Sequence, residues 1–232
     1  MSYGPTTELL QLDPTHPDPA RIAIAVEHLR RGHVVAYPTE TFYGLGVDFQ
    51  NERAIKRLYE LKRRDPSLPI ALLVADLAML EACVTNIGET ARTLMTRFWP
   101  GPLTLCLPAS AAVSRNLTTN TGKIGVRISP HPIAAALVHA YGRPITTTSA
   151  NRSGYPPSLN ARHIQKYFPR GLDCIIDGGE CQSIRGSTVV DLADDTMAIV
   201  RDGAIGAAEV TECFQEGAPS ELPAPDTPSE PT

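Results

Sequence analysis

The chain has 232 residues, of which 42% are hydrophobic and 20% charged, and its formal net charge is −4. This is the make-up of a folded globular protein; it excludes a disordered or fibrous chain and argues against one that coats nucleic acid by bulk attraction. No apolar run reaches the length of a bilayer span, and no basic start precedes an apolar core at the N-terminus, so a cytoplasmic protein without a membrane partner is expected.

Residues 1–17 carry few periodic apolar positions and several prolines, which predicts an extended N-terminal arm. Asp18 then caps a helix with Pro19 at its first position, and Gly32 closes it after Arg30-Arg31. Residues 33–37 read as a buried strand, residues 38–46 as a polar turn, and residues 52–64 as an amphipathic helix. A second apolar strand spans 70–75, Asp76 caps a short helix to about Cys83, and a longer helix stops at Trp99-Pro100-Gly101-Pro102. Strands follow at 103–107 and 124–128, a helix over 131–141 ending at Gly142, and a β-branched strand at 144–148. Asn160 caps a helix to Phe168, and three short strands lie near 173–177, 187–192 and 197–201. Strands alternating with helices of this length predict an α/β domain, and the late run of strands predicts a mixed, twisted sheet. From Gly217 to the end the chain has almost no large apolar residue, so a disordered tail is expected over 217–232.

Five cysteines (Cys83, Cys106, Cys174, Cys181 and Cys213) are odd in number and widely spaced, with no Cys-x-x-Cys pair. Buried reduced thiols fit this pattern better than a zinc site or a disulfide framework.

Five stretches could carry chemistry. Residues 38–46, PTETFYGLG, place hydroxyls, a carboxylate, a phenol and two glycines at a strand end, where α/β proteins commonly hold ligands. Lys62-Arg63-Arg64 ends a helix ahead of two prolines, either as a phosphate clamp or as a solvated, dipole-favoured terminus. Arg127 sits in an apolar strand and needs an anion, structural or from a ligand. His131, at the following helix start, reads mainly as a cap. Residues 146–154, TTTSANRSG, supply hydroxyls and open backbone suited to phosphate, ribose or a base edge, and also to an ordinary turn. Last come Ser187-Thr188 at a strand start and the strand-borne Arg201.

The phosphate loop with Gly-Lys-Ser/Thr, the Gly-x-Gly-x-x-Gly fingerprint, a His-x-x-x-His pair and a nucleophile elbow are all missing from the sequence. Cations and hydroxyls without an obvious nucleophile suit catalysis by positioning and charge stabilisation at phosphorus.

Seven segments, PTETFYGLG, LKRR, FWPGPLTL, GVRISPHP, TTTSANRSG, STVVDL and IVRDGAI, occur in this order over about residues 20–206. Together they resemble the YrdC-like threonylcarbamoyl-AMP synthase family. The resemblance implies a single YrdC-like catalytic domain over residues 18–216, with a twisted mixed sheet and flanking helices around a concave cavity. It places the chain in the short, single-domain branch. The implied enzyme is a nucleotidyltransferase, an L-threonylcarbamoyladenylate synthase that joins L-threonine, bicarbonate or carbon dioxide and ATP, with magnesium, and releases pyrophosphate. A downstream transfer complex and tRNA are its implied partners.

Residue by residue, the resemblance makes Arg127 the grip on the threonine carboxylate and Thr39, Thr147 and Ser187 the hydroxyls around the amino acid. Lys62 and Arg64 become the triphosphate clamp, and Ser149, Asn151 and Arg201 the nucleotide contacts; the metal ligands and the general base stay unassigned. Asp65, Leu68 and Leu73 depart from the family pattern. Two other readings stay open: a non-enzymatic, structured-RNA-binding paralogue of the same fold, and a related carbamoyl-adenylating activity.

Overall fold

The computed structural model of the chain describes residues 7–193 and 196–217. Among them, ten strands form one mixed sheet: β1 (Glu8–Gln11), β2 (Val35–Tyr37), β3 (Gly44–Gly46), β4 (Ala71–Leu73), β5 (Leu103–Pro108), β6 (Lys123–Arg127), β7 (Ile145–Ser149), β8 (Cys174–Asp177), β9 (Thr188–Ala193) and β10 (Thr196–Arg201). Their order across the sheet is β1-β8-β2-β3-β7-β4-β6-β5-β9-β10. Parallel pairs (β1/β8, β2/β8, β4/β6, β5/β9) interleave with antiparallel ones, so the expected mixed α/β sheet is what forms.

Helix α1 (Pro19–Arg30) starts as its sequence dictates: the Asp18 carboxylate accepts from the Ala20 amide, with proline in the first turn. Asn51, Asp76 and Asn160 cap α2 (Glu52–Lys62), α3 (Leu77–Cys83) and α7 (Ala161–Tyr167) in the same way. Helix α4 (Glu89–Phe98) stops at Trp99, and α6 (Pro132–Tyr141) ends on Gly142 at φ +72°, a left-handed position that favours glycine. The His131 imidazole caps α6 by accepting from the Ile133 amide at 3.2 Å.

Two core layers form on the two faces of the sheet. One face carries Leu45, Leu72, Leu105, Val126 and Val190 against Ile55 and Leu58 of α2 and Leu94 of α4. The other carries Val35, Tyr37, Leu73, Ile145 and Ile176 against Ile22 and Val26 of α1 and Leu137 of α6. Helices α1 and α6 cover this face around β2 and β8 together with Leu73 of β4 and Ile145 of β7, whereas Ala71 of β4, Thr104 of β5, Gly125 of β6 and Val189 of β9 are left without that cover.

Several elements differ from the sequence expectation. Within the expected arm, β1 pairs in parallel with β8, and Leu10 and Leu12 are buried. Residues 38–46 are not one polar turn: Gly44–Gly46 is strand β3, between β2 and β7. A Cβ at Gly44 or Gly46 would meet the Tyr37 ring at 3.2 or 2.9 Å, so the glycines are what let this strand lie over the ring. The short α5 (Arg115–Thr118) and α8 (Ala207–Gly217) have no counterpart in the sequence reading. The tail expected over 217–232 falls outside the described residues apart from Gly217, the last residue of α8. The cysteines are free thiols, four of them buried. Among the described residues no helix is long and apolar enough to cross a membrane.

Candidate functional site

Where the sheet lacks helical cover there is a cavity of about 450 Å³. Strand alternation builds it. On β5, Leu103, Leu105 and Leu107 point into the core while Thr104 and Cys106 face the cavity. On β6, Val126 is core while Gly125 and Arg127 face the cavity. Ala71 and Gly125 make the floor: a Cβ at Gly125 would lie 3.1 Å from the Ala71 Cβ and 3.2 Å from Thr104 Cγ2. Thr147 and Ser149 of β7 form one wall, and Ser187, Val189 and Arg201 the other.

Arg127 is 5% exposed, and the anion it requires is close at hand. Its Nη2 donates to Glu40 Oε1, and Glu40 Oε2 accepts from the Ser129 hydroxyl. Nη1 reaches Thr41 Oγ1 at 3.5 Å, whereas Nε is buried with no partner among the described residues. Burial pushes the Arg127 pKa down to about 10, with Arg201 adding to the effect. Arg64 and Arg201 are also shifted down, in each case by burial first, and Arg64 further lowers Arg201. The three guanidiniums therefore share one field at the cavity wall, and no acidic side chain lines the cavity among the described residues.

The Thr39 hydroxyl has a fixed polarity. Thr39 donates to the Phe42 carbonyl at 2.6 Å, so in its 3.0 Å contact with Thr41 it is the acceptor. Across the cavity, Arg201 donates through Nε to the Ser187 carbonyl and through Nη2 to the Ser187 hydroxyl, both at 2.9 Å. Ser187 Oγ also lies 2.9 Å from Thr104 Oγ1. A guanidinium can only donate, so Ser187 accepts from it and is free to pass its own proton to Thr104. Thr104 then has its own hydroxyl proton to offer a ligand.

Seven of the nine expected site residues line this one cavity: Thr39, Arg64, Arg127, Thr147, Ser149, Ser187 and Arg201. Lys62 and Asn151 do not. Lys62, 1% exposed, sends Nζ to the carbonyls of Ser149 and Asn151 (2.9 Å to the latter) and, at 3.4 Å, to Asn151 Oδ1. It pins the 149–151 loop from behind, and Asn151 Oδ1 in turn accepts from Ser149 Oγ at 2.5 Å. Burial, and secondarily Arg64, push the Lys62 pKa down to about 7. Arg64 braces the 65–69 turn by donating to the Pro69 carbonyl at 2.8 Å. Leu73 is fully buried in the layer beneath α1 and α6, outside the cavity lining.

Thr41, Thr104 and Cys106 also line the cavity, and the sequence reading had not singled them out. The alternation Leu-Thr-Leu-Cys-Leu along 103–107 is the signal that could have found two of them. Burial pushes the Cys106 thiol up to about 11, so it stays protonated at neutral pH. Among the described residues no group of His, Cys, Asp or Glu side chains could hold a metal ion.

Comparison with known proteins agrees with this architecture. The Sua5/YciO/YrdC family model, described as telomere recombination, matches residues 27–203. Threonylcarbamoyl-AMP synthase of Pyrococcus abyssi is 40% identical over 196 residues, which are 84% of this chain and 58% of that protein. The protein of the same name from Chromohalobacter salexigens is 37% identical over 172 residues, 74% of this chain and 92% of that one. The chain thus spans little more than half of the Pyrococcus relative and nearly all of the shorter one. The crystal structure of Pyrococcus abyssi Sua5 complexed with L-threonine superposes with a TM-score of 0.86 at 38% identity, covering 89% of this chain and 61% of that one. Escherichia coli YciO gives a TM-score of 0.80 at 29% identity over 88% of this chain and 99% of its own. On the family match and these identities, the chain belongs to the Sua5/YciO/YrdC family.

Proposed function

We propose that the chain is an L-threonylcarbamoyladenylate synthase, a nucleotidyltransferase that condenses L-threonine, bicarbonate or carbon dioxide and ATP into threonylcarbamoyl-AMP and pyrophosphate. The observation that carries this reading is the convergence of Arg64, Arg127 and Arg201 with a ring of hydroxyls around one cavity that has no acidic lining residue. Such a wall suits anions at both ends, a carboxylate and a polyphosphate. The relative solved with L-threonine supports an amino acid as one of the two ligands.

The threonine carboxylate lies on Arg127, with Thr39, Thr147, Ser187 and Thr104 around the side-chain hydroxyl and methyl. A hydroxyl partner discriminates against valine more strongly than a methyl pocket discriminates against serine, since one methylene is worth about 1–3 kcal/mol. Arg64 and Arg201 face the phosphates, and Ser149 the nucleotide. Lys62 and Asn151 act one layer back, by fixing the 149–151 loop. The neutral amine adds to carbon dioxide and loses a proton to give a carbamate. A carbamate oxygen then attacks the α-phosphorus, the α–β anhydride bond breaks, and pyrophosphate leaves with its charge spread over the arginines.

The lining residues do not fit a resident magnesium site, because none is a carboxylate. Magnesium belongs here with the nucleotide as substrate. The product is a reactive mixed anhydride, which fits hand-over to a transfer partner serving tRNA in the cytoplasm.

The test supplies the purified chain with ATP, labelled bicarbonate and each amino acid in turn. Threonine-dependent pyrophosphate release with a labelled adenylate is expected. Adenylate formed from carbamoyl phosphate irrespective of threonine, or RNA retention without any adenylate, overturns the proposal.

A further inference from the structure

We propose that Glu40 is a positioning residue for the amino-acid site: it holds Arg127 from the side away from the cavity, so that the remaining guanidinium N–H groups present a fixed plane to the threonine carboxylate. This rests on the function proposed above and assigns a part to a residue that the sequence reading left without one.

Four observations carry it. Glu40 stands between Thr39 and Thr41, which both line the cavity, yet Glu40 does not. Its two oxygens are both engaged, Oε1 by Arg127 Nη2 and Oε2 by the Ser129 hydroxyl, so the carboxylate bridges the β2–β3 turn to the end of β6. Ser129 Oγ also accepts from the His131 amide at 3.2 Å, which ties the bridge to the start of α6. The pair is deeply set, with side-chain exposures of 6% for Arg127 and 15% for Glu40.

A guanidinium has five N–H groups in one plane. Glu40 and Thr41 use one each at the two terminal nitrogens, and that fixes the plane. A forked contact to a carboxylate depends on that orientation, because misplacement by about 1 Å can cost on the order of 100-fold. The arrangement also keeps the balancing negative charge behind the arginine, so the cavity wall itself stays cationic.

The test measures steady-state pyrophosphate release with threonine and ATP varied separately, together with thermal melting. Glu40→Ala is expected to raise the threonine KM about tenfold or more and leave the ATP KM within twofold. Glu40→Gln, which can still accept from Arg127, is expected to restore the threonine KM to within about threefold of the parent. The melting shift produced by L-threonine falls with Glu40→Ala, while that produced by ATP stays. If Glu40→Ala does not fold, Ser129→Ala decides: removing the partner of Oε2 is expected to raise the threonine KM about threefold, with the ATP KM unchanged. An unchanged threonine KM, or an equal rise for both substrates, overturns the positioning role. A parent chain that is inactive with threonine overturns the proposed function instead, so the two failures are told apart.

Discussion

The two halves of one sheet face differ in what their side chains do. Beneath α1 and α6 the inward positions are Val35, Tyr37, Leu73, Ile145 and Ile176, large and apolar. Over β4, β5, β6 and β9 the equivalent positions are Ala71, Thr104, Gly125 and Val189, with Ser187 and Arg127 at the strand ends. The alternation is the same, but in the second half no helix covers the face and the side chains are small or polar. The first half gains stability from apolar burial. The second gives up that burial and in return holds a hollow whose polar groups are already oriented. Residues 145–149 cross from one regime to the other within a single strand: Ile145 is core, Thr146 bonds to the backbone of Leu45 and Val47, and Thr147 faces the cavity.

If the halves are this distinct, substitutions should separate stability from ligand handling. The largest effect is expected from Leu137→Ala in α6, which is fully buried in the covered half. It should cost about 2–5 kcal/mol in urea unfolding, with the KM for threonine and ATP unchanged where the protein stays folded. A change in either KM would show that the halves are coupled. Next, Arg127→Ala should raise the threonine requirement tenfold or more, about 1.4 kcal/mol or above, because a charged hydrogen-bonding partner is lost. An unaltered requirement removes Arg127 from the amino-acid site.

Lys62 offers a pH test of the loop behind the cavity. Between about pH 7 and its ordinary value of 10.5 it binds fewer protons folded than unfolded, so its contribution makes stability rise with pH across that window. The slope is at most about 1.4 kcal/mol per pH unit, and Lys62→Met should abolish it when unfolding is followed at pH 7, 8 and 9. A slope that persists in the variant assigns it to other groups. The smallest effect is expected from Thr104→Val, which removes the hydroxyl at the end of the Arg201–Ser187 chain. A few-fold loss of threonine affinity by calorimetry, about 0.5–1.5 kcal/mol, is expected, and none if that hydroxyl does not face the ligand.

Much of the fold was legible because its signals are local. The caps at Asp18, Asp76 and Asn160, the stop at Gly142 and the alternation of apolar residues need no tertiary context. What was not legible depends on distant partners. Strand β1 is four residues long and is held by pairing to β8, more than 160 positions away. Strand β3, two glycines around a leucine, has low strand propensity and exists because it lies over the Tyr37 ring between β2 and β7.

The candidate site was legible to the same extent. Arg127 advertised itself as a cation among apolar neighbours, but whether its anion was structural or a ligand could not be read from spacing. Glu40 is 87 residues away, and it answers half of that question. Lys62 reads as part of a phosphate clamp because three cations, Lys62-Arg63-Arg64, precede two prolines. Helix α2 ends at Lys62 and Arg63 turns the chain in the left-handed region at φ +50°, so Arg64 faces the cavity, while Lys62 turns to the 149–151 loop.

On the proposed function this one hollow seats a small amino acid beside an adenine nucleotide, with the carboxylate on Arg127. A crystal structure of the chain soaked with L-threonine and a non-hydrolysable ATP analogue tests it most directly. A threonine carboxylate within hydrogen-bonding distance of Arg127 and phosphates facing Arg64 and Arg201 are expected. Threonine bound elsewhere, or a nucleotide outside the cavity with Arg127 contacting only Glu40 and Thr41, would contradict it.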